Sequence, residues 1–227
     1  MKKYSTGIIA LDSSLNGGIP SGSLVLIVEK PGAGAEILTF HFAVEGLKNE
    51  EKILYVITDE TVDNLLEHMK IYHSNISLDK DRFNVISFVS KTIGESKIYT
   101  YDPLRGLKIV LSKNRFDRIV INDINKIVRN YSEDEAIAFI EEISRKVKED
   151  NAVAMIVLAE GASSSKLENT LKSIADGIFE LDIREKENEI QRVLKIIKLR
   201  RCMIPRNIFR YDITEKGIKL ESIMRVI

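Results

Sequence analysis

Short apolar runs rich in β-branched residues recur along the chain and are separated by segments with helical patterns. Such runs, bounded by polar residues, are typical of strands that are buried on both faces of a parallel sheet. We therefore predict a series of parallel strands in the first two thirds of the chain. They are Leu24–Val28, Ile53–Ile57, Phe83–Phe88, Ile119–Ile121 and Val153–Leu158.

The segments between these runs carry apolar residues at the spacing of an amphipathic helix. This pattern covers Ile37–Leu47, Val62–Met69 and Ala136–Val147. Ser132 precedes the last of these, and Glu135 follows it three residues later, which predicts a capping box at the start of that helix. The alternation of strands and helices predicts an α/β fold, with a mostly parallel sheet covered by helices on both faces.

The C-terminal part has a different pattern. Gly177–Ile183 and Ile190–Leu199 flank the charged segment 184–189, which predicts an antiparallel hairpin with a solvated tip. Asn207–Thr214 and Gly217–Glu221 predict a second, shorter hairpin. Because no linker rich in Pro, Gly or Ser divides the chain, we expect a single domain over residues 1–227.

Composition narrows the class of protein. The 227 residues include 34 Lys and Arg and 34 Asp and Glu, so the formal net charge is zero. A balanced charge argues against nucleic-acid binding by bulk positive charge. The segment 159–166 is nearly uncharged, and residues 161–165 within it lack the basic and aromatic side chains that bind single strands. A single cysteine, Cys202, excludes an internal disulfide framework and a cysteine-rich zinc site. No run is apolar enough for a membrane span or a signal peptide, so we expect a cytoplasmic protein without a membrane partner.

A glycine-containing loop joins the first predicted strand to the first predicted helix. A strand, a glycine-rich turn and a helix N-terminus together form a cradle for phosphate, because backbone N–H groups and the helix dipole favour an anion. The working motif is G-x-x-x-x-G-K-[ST], whose Lys reaches the phosphates and whose hydroxyl holds Mg²⁺. The candidate phosphate-binding residues here are Lys30, Pro31, Gly32, Ala33, Gly34, Ala35 and Glu36.

Three positions of this motif carry different residues. Glu29 stands in place of the first Gly, Ala35 in place of the Lys, and Glu36 in place of the hydroxyl. Two like charges about 4 Å apart repel by about 4 kcal/mol at an effective dielectric constant near 20, and a triphosphate carries several charges. Taken alone, the loop favours a strand–helix connection without a ligand, and Lys30 is its one replacement cation.

The flanking sequence carries a more specific signal. Ser5-Thr6-Gly7, Leu11-Asp12 and Gly17–Leu24 have the order and spacing of the S-T-G-x-x-x-L-D and G-G-G-I-P-x-G segments that open a known family. In these residues the chain resembles the KaiC-like branch of the RecA superfamily of P-loop ATPases. The likeness extends from Ser5 to about Leu220 and implies a RecA-like fold, with ATP and Mg²⁺ as cofactors in active members.

The resemblance also implies roles for residues at two later strand ends. Asp59 and Glu60 match an acidic pair, one of which orients the attacking water in active members. The segment 117–123 resembles the Walker B strand, and its gapless alignment places Asn122 at the position of the Asp that is linked to Mg²⁺. A shift of one residue would place Asp123 there instead, on the opposite face of the strand end.

Two short segments near the C-terminus complete the resemblance. Residues 173–177 resemble the A-D-G segment of the family, and Lys198 and Arg200 match its K-x-R element. In hexameric members this element reaches the phosphate bound by the neighbouring subunit. The resemblance therefore implies a contact in trans through Lys198 and Arg200.

Two main hypotheses for function follow. In the first, the chain has lost ATP hydrolysis, needs neither ATP nor Mg²⁺, and acts as a regulatory or interaction module that binds itself or an active relative. In the alternative it is a weak or unusual ATPase that uses Lys30, Asp59, Glu60 and Asp123 with ATP and Mg²⁺. A recombinase-like protein that binds DNA ranks last.

We expect no resident metal ion. His68 and His73 are five residues apart, which does not place them on one helix face, and His41 lies in a separate predicted helix. The sequence offers no partner Cys and no compact acidic cluster to complete a site around them.

Overall fold

The computed structural model describes residues 1–74, 79, 81–88, 102–186 and 189–221. Helices and strands alternate through the first two thirds of the chain, and strands dominate the end. The helices are α1 (Ile9–Ser14), α2 (Ala35–Lys48), α3 (Val62–Tyr72), α4 (Pro103–Lys113), α5 (Ile124–Val128), α6 (Glu133–Asp150) and α7 (Ser165–Ile174). The strands are β1 (Lys3–Tyr4), β2 (Ile19–Pro20), β3 (Ser23–Glu29), β4 (Ile53–Ile57), β5 (Phe83–Ser87), β6 (Arg118–Ile121), β7 (Val153–Ala159), β8 (Gly177–Lys186), β9 (Glu189–Leu199), β10 (Phe209–Thr214) and β11 (Gly217–Leu220).

The main sheet has the strand order β11-β10-β9-β8-β3-β7-β6-β4-β5. The strands from β8 to β5 in this order are all parallel to their neighbours. The strands from β8 to β11 are joined by antiparallel pairs. The α/β fold predicted from the sequence, with a mostly parallel sheet and antiparallel C-terminal strands, is confirmed.

Helices cover both faces of this sheet, because its strands bury side chains on both sides. In β3, Val25 and Ile27 face a core that includes α1, α2 and α3. Leu24 and Leu26 face the opposite core, which includes α4, α5, α6 and α7. Residues Leu24–Val28 of the strand are therefore all buried, as their continuous apolar sequence predicts.

The predicted strands and helices agree with the structure to within a few residues. Ser132 caps α6, and its hydroxyl and Glu135 form the predicted capping box. Both C-terminal hairpins are present, although residues 187–188 at the tip of the first one lie outside the described residues. In the part of the chain that the structure describes, no helix has the length and apolar character to cross a membrane.

The N-terminal S-T-G and L-D residues form one hydrogen-bonded unit. The carboxylate of Asp12 accepts hydrogen bonds from the backbone N–H groups of Thr6, at 2.6 Å, and Gly7, at 3.2 Å. Gly7 adopts a φ of 83°, and a Cβ there would lie 2.6 Å from the carbonyl oxygen of His41. Only glycine allows this approach, which sets the N-terminal segment against α2.

Candidate functional site

The glycine-containing loop lies at the carboxyl end of β3, between the ends of β7 and β8. Gly32 and Gly34 adopt φ values of 86° and 90°, in the left-handed region that favours glycine. A Cβ at Gly34 would lie 2.8 Å from Cδ1 of Ile213, so a side chain there would have to displace Ile213 as well as adopt the left-handed φ. The backbone thus makes the tight strand–turn–helix connection of a phosphate-binding loop.

Glu29, the last residue of β3, turns back onto the helix that follows the loop. Its Oε2 accepts a hydrogen bond of 3.0 Å from the backbone N–H of Ala35, the first residue of α2. Burial raises the pKa of Glu29, and this hydrogen bond acts in the opposite direction. A side-chain carboxylate therefore occupies one of the N–H groups that a P-loop turns toward phosphate.

Lys30 is paired within the chain. Its Nζ lies 2.7 Å from Oδ1 of Asp182 on β8, and this hydrogen-bonded pair lowers the pKa of Asp182. Lys30 is the cation that would replace the missing lysine of the loop if the chain were a weak ATPase. The structure places its ammonium group on β8 instead of in the cradle.

Two further contacts join the loop to the antiparallel strands. Arg192 Nε donates to the carbonyl of Gly32 at 3.2 Å, and Tyr211 Oη donates to the carbonyl of Ala33 at 2.5 Å. Ala33 and Ala35 are fully buried, whereas Pro31 is exposed. The C-terminal strands therefore hold the loop in place from one side.

Glu36, in the first turn of α2, lies in a group of acidic side chains. Its Oε1 accepts a hydrogen bond from Asn122 Nδ2 at 3.3 Å, and its Oε2 lies 3.3 Å from Nδ1 of His68. Burial and the neighbouring carboxylates of Glu60 and Asp59 raise the pKa of Glu36 to about 7. The residue in place of the Mg²⁺-binding hydroxyl is thus a crowded carboxyl group.

The end of β6 places the two Walker B candidates in different surroundings. Asn122 faces Glu36, at the N-terminus of α2. Asp123 adopts a left-handed φ of 65°, and its Oδ2 lies 3.2 Å from Nζ of Lys126. The amide of Asn122 therefore faces the helix that follows the loop, and the carboxylate of Asp123 faces Lys126.

The acidic pair after β4 is divided between two partners. Asp59 Oδ2 lies 2.7 Å from Nζ of Lys126, which also binds Asp123. Glu60 lies beside Glu36 and His68, and the ligand atoms of these three residues are all within 4.8 Å of one another. Both carboxylates of the pair thus lie near Glu36, at the N-terminus of α2.

Lys198 and Arg200, the candidates for a contact in trans, have partners within the chain. Lys198 Nζ donates to the carbonyls of Lys172 and Ser173 at the end of α7. Arg200 Nη1 lies 3.2 Å from Oδ1 of Asp176, and half of the Arg200 side chain is exposed. These contacts join the K-x-R element to the A-D-G segment.

Sequence reasoning missed His68 as part of this site. Its spacing to the other histidines gave no sign of a site, because its neighbours Glu36 and Glu60 come from other elements. Asp182 and Tyr211 were also missed as loop partners, since each lies more than a hundred residues from the loop. The apolar pattern that predicts β8 and β10 does not indicate that Asp182 and Tyr211 on these strands will contact the loop.

A parallel sheet with a glycine loop after its central strand, continued by antiparallel C-terminal strands, defines a RecA-like P-loop fold. The family model for the KaiC ATPase matches residues 4–224. The chain therefore belongs to the KaiC-like branch of the RecA superfamily.

Similar proteins of the same length and longer ones are both found. A UPF0273 protein of Thermotoga maritima is 26% identical, with 96% of this chain and 95% of that protein covered. The circadian clock oscillator protein KaiC of Synechococcus elongatus is 20% identical over 98% of this chain and 43% of its own length. The crystal structure of a KaiC-like protein from Pyrococcus horikoshii has the same fold, with a TM-score of 0.78, 19% identity, and 97% and 99% of the two chains covered.

Proposed function

We propose that this KaiC-like protein has lost ATP hydrolysis and acts as a regulatory or interaction module. The proposal rests on the hydrogen bond from Ala35 N–H to the carboxylate of Glu29, at the loop that would hold phosphate. This contact places a negative charge where a nucleotide would bring several more. ATP would have to displace the carboxylate before binding.

The charges around the loop support the same conclusion. Glu36 and Glu60 lie close together near the N-terminus of α2, and Lys30 and Lys126 are engaged by aspartates. Repulsion between two unit charges about 4 Å apart costs about 4 kcal/mol at an effective dielectric constant near 20. The residues at this site do not fit Mg²⁺-ATP.

Calorimetric titration of the protein with Mg-ATP and Mg-ADP tests the lost nucleotide site. We expect no binding tighter than a Kd of about 100 µM, which corresponds to about −5.5 kcal/mol. Tighter binding would overturn the proposal, and hydrolysis would then be the next measurement.

A triple variant tests the stated cause. Glu29→Gly, Ala35→Lys and Glu36→Thr together restore the residues of the motif, and we expect this variant to bind Mg-ATP. The matched control carries Met instead of Lys at position 35, which keeps the length of the side chain without its charge. If both variants bound Mg-ATP equally weakly, the contacts from the antiparallel strands, and not the charges, would be what keeps phosphate out of the loop.

The regulatory part of the proposal concerns assembly with a second copy or an active relative. Its support is the half-exposed Arg200, at the position of the K-x-R element. We expect ATP hydrolysis by an active partner to fall when Arg200 is changed to Ala in mixed assemblies. Arg210→Ala, at an exposed site on β10, is the control. Unchanged hydrolysis with both variants, in assemblies of confirmed mass, would exclude the contact in trans.

A weak ATPase is the competing function, and one observation favours it: Asp59 and Glu60 lie at the mouth of the site. A general base must lie within reach of the attacking water. Slow hydrolysis that is abolished by Glu60→Gln would support this function. Lys30 would then have to leave Asp182 to reach a phosphate.

A further inference from the structure

The side chains of Glu36, Glu60 and His68 come together from three parts of the chain. Glu36 lies in the first turn of α2, Glu60 in the connection between β4 and α3, and His68 within α3. One ligand atom from each lies within 4.8 Å of the other two. Two carboxylates and an imidazole are a mixed oxygen and nitrogen donor set, which differs from the oxygen-only sets that Mg²⁺ prefers.

We propose that Glu36, Glu60 and His68 bind one divalent transition-metal ion of the zinc class. This inference rests on the proposed function, because it assigns a new ligand to the site that no longer fits Mg²⁺-ATP. Three protein donors leave a position for water or a fourth ligand.

The distances suit a single ion. Donors at the zinc–nitrogen and zinc–oxygen distances of about 2.0–2.2 Å lie at most about 4.4 Å apart across one ion. Glu36 Oε2 and His68 Nδ1 are already 3.3 Å apart. The side chains of both residues are about one third exposed, so they have room to adjust and the site is open to solvent.

The surroundings hold the donors in place. Asn122 Nδ2 donates to Glu36 Oε1, which leaves Oε2 facing His68. The ring of Phe40 packs edge-on against the His68 imidazole, with 5.2 Å between the ring centres. Metal-binding carboxylates and imidazoles are commonly held by hydrogen bonds and packing to neighbouring residues, which fix the direction of the donor atoms.

An independent observation concerns the second carboxylate. Oε1 of Glu60 is shielded from solvent, and when Glu36 is ionised it has no hydrogen-bond donor among the residues that the structure describes. A buried oxygen without a donor is costly, and a bound cation would satisfy it. A cation bound by these three side chains would therefore also give Oε1 of Glu60 a partner.

Titration of the chelator-treated protein with ZnCl₂, without nucleotide, tests the inference. We expect one zinc ion per chain with a Kd below about 10 µM, and no comparable binding of MgCl₂. His68→Gln and Glu60→Gln should each weaken zinc binding by at least about tenfold. The control is Glu67→Gln, an exposed neighbour that removes the same charge as Glu60→Gln and should leave the affinity unchanged.

The outcomes separate this inference from the proposed function. Absence of zinc binding would overturn it, and a proton shared between Glu36 and Glu60 would then explain the close carboxylates. Equal zinc affinity in the wild type, His68→Gln and Glu60→Gln would also overturn it, as binding elsewhere on the chain. Because no nucleotide is present, either result leaves the Mg-ATP titration as the separate test of lost hydrolysis. A cooperative melting transition of each variant without zinc checks that all of them fold. With zinc, we expect Tm to rise in the wild type and in Glu67→Gln and to stay unchanged in His68→Gln and Glu60→Gln.

Discussion

Arg118 shows how a single residue of a functional motif can serve the fold. It begins β6, it is fully buried, and its Nε lies 2.6 Å from Oε2 of Glu51. Its Nη1 donates to the carbonyls of Ser5 and Phe42. A Cβ at Gly46 would lie 2.6 Å from Cδ of Arg118, so the glycine makes room for the arginine. One guanidinium thus joins the N-terminal segment, α2 and the sheet.

Replacing this side chain should be severely destabilising. We expect Arg118→Ala to lower the free energy of unfolding by about 3–5 kcal/mol. It removes the donor to two backbone carbonyls and leaves the Glu51 carboxylate with only the half-exposed Lys2 as a partner among the residues that the structure describes. Urea denaturation followed by circular dichroism measures the loss. The control is Arg115→Ala, whose side chain is 86% exposed and pairs with Asp150. It should change stability by less than about 1 kcal/mol, and equal effects of the two variants would contradict the argument.

At the scale of elements, helix α2 contacts both Glu29, which precedes the glycine-containing loop, and the hairpin of β10 and β11. Its N-terminus receives Glu29, and its buried His41 accepts a hydrogen bond of 2.9 Å at Nε2 from the backbone N–H of Ile218 on β11. A Cβ at Gly217 would lie 2.2 Å from that Nε2. The hairpin of β10 and β11 can therefore dock only with glycine at its turn and a neutral imidazole on α2.

This contact should make stability depend on pH. Burial, together with the charges of His73 and Lys48, lowers the pKa of His41 to about 4. The unfolded chain, with a pKa near 6.5, binds the proton first, so stability from this group is present above pH 6.5 and is lost as the pH falls toward 4. The loss is at most roughly 3 kcal/mol.

His41→Gln provides the comparison, since glutamine accepts a hydrogen bond without titrating. Denaturation at a series of pH values should give curves for the two proteins that separate by this amount as the pH falls from 6.5 to 4. Carboxylates common to both proteins cancel in the difference. Parallel curves would show that His41 does not couple folding to protonation.

At the scale of the whole molecule, the antiparallel strands and the parallel sheet meet at the loop. Strand β8 contributes Asp182, β9 contributes Arg192 and β10 contributes Tyr211 to contacts with the loop. The loop is therefore held by contacts to the antiparallel strands on one side and by the hydrogen bond from Ala35 N–H to Glu29. These ties favour one fixed loop conformation, whether or not a ligand is present.

Thermal unfolding should thus be insensitive to nucleotide. Mg-ATP at about 1 mM would stabilise the fold by about 2.7 kcal/mol if its Kd were a hundredfold lower, and a chain of this size would then melt roughly 5–10 °C higher. We expect a rise of less than about 1 °C by calorimetry. A larger rise with Mg-ATP, absent with ATP and chelator, would indicate an intact nucleotide site.

The sequence predicted the sheet better than the site. Strands such as Ile53–Ile57 and the cap at Ser132 depend on local patterns, and the structure reproduces them. Helix α4 was missed, although Pro103 and the cap Asp102 mark its start and Leu104, Leu107 and Leu111 have the spacing of a helix face. The bond from Ala35 to Glu29 and the position of His68 depend on side-chain directions that no spacing rule specifies.

The strand order also has a consequence for synthesis on the ribosome. Strand β3 lies between β7 and β8, yet the first residue of β7 follows β3 by about 120 residues. At typical rates of translation, the emerging chain holds this strand, with its apolar run Leu24–Val28, without either neighbour for roughly 10 s. During that interval its hydrophobic edges are available to other nascent chains and to chaperones. A protein with this topology completes the centre of its sheet only after β7 and β8 have been synthesised.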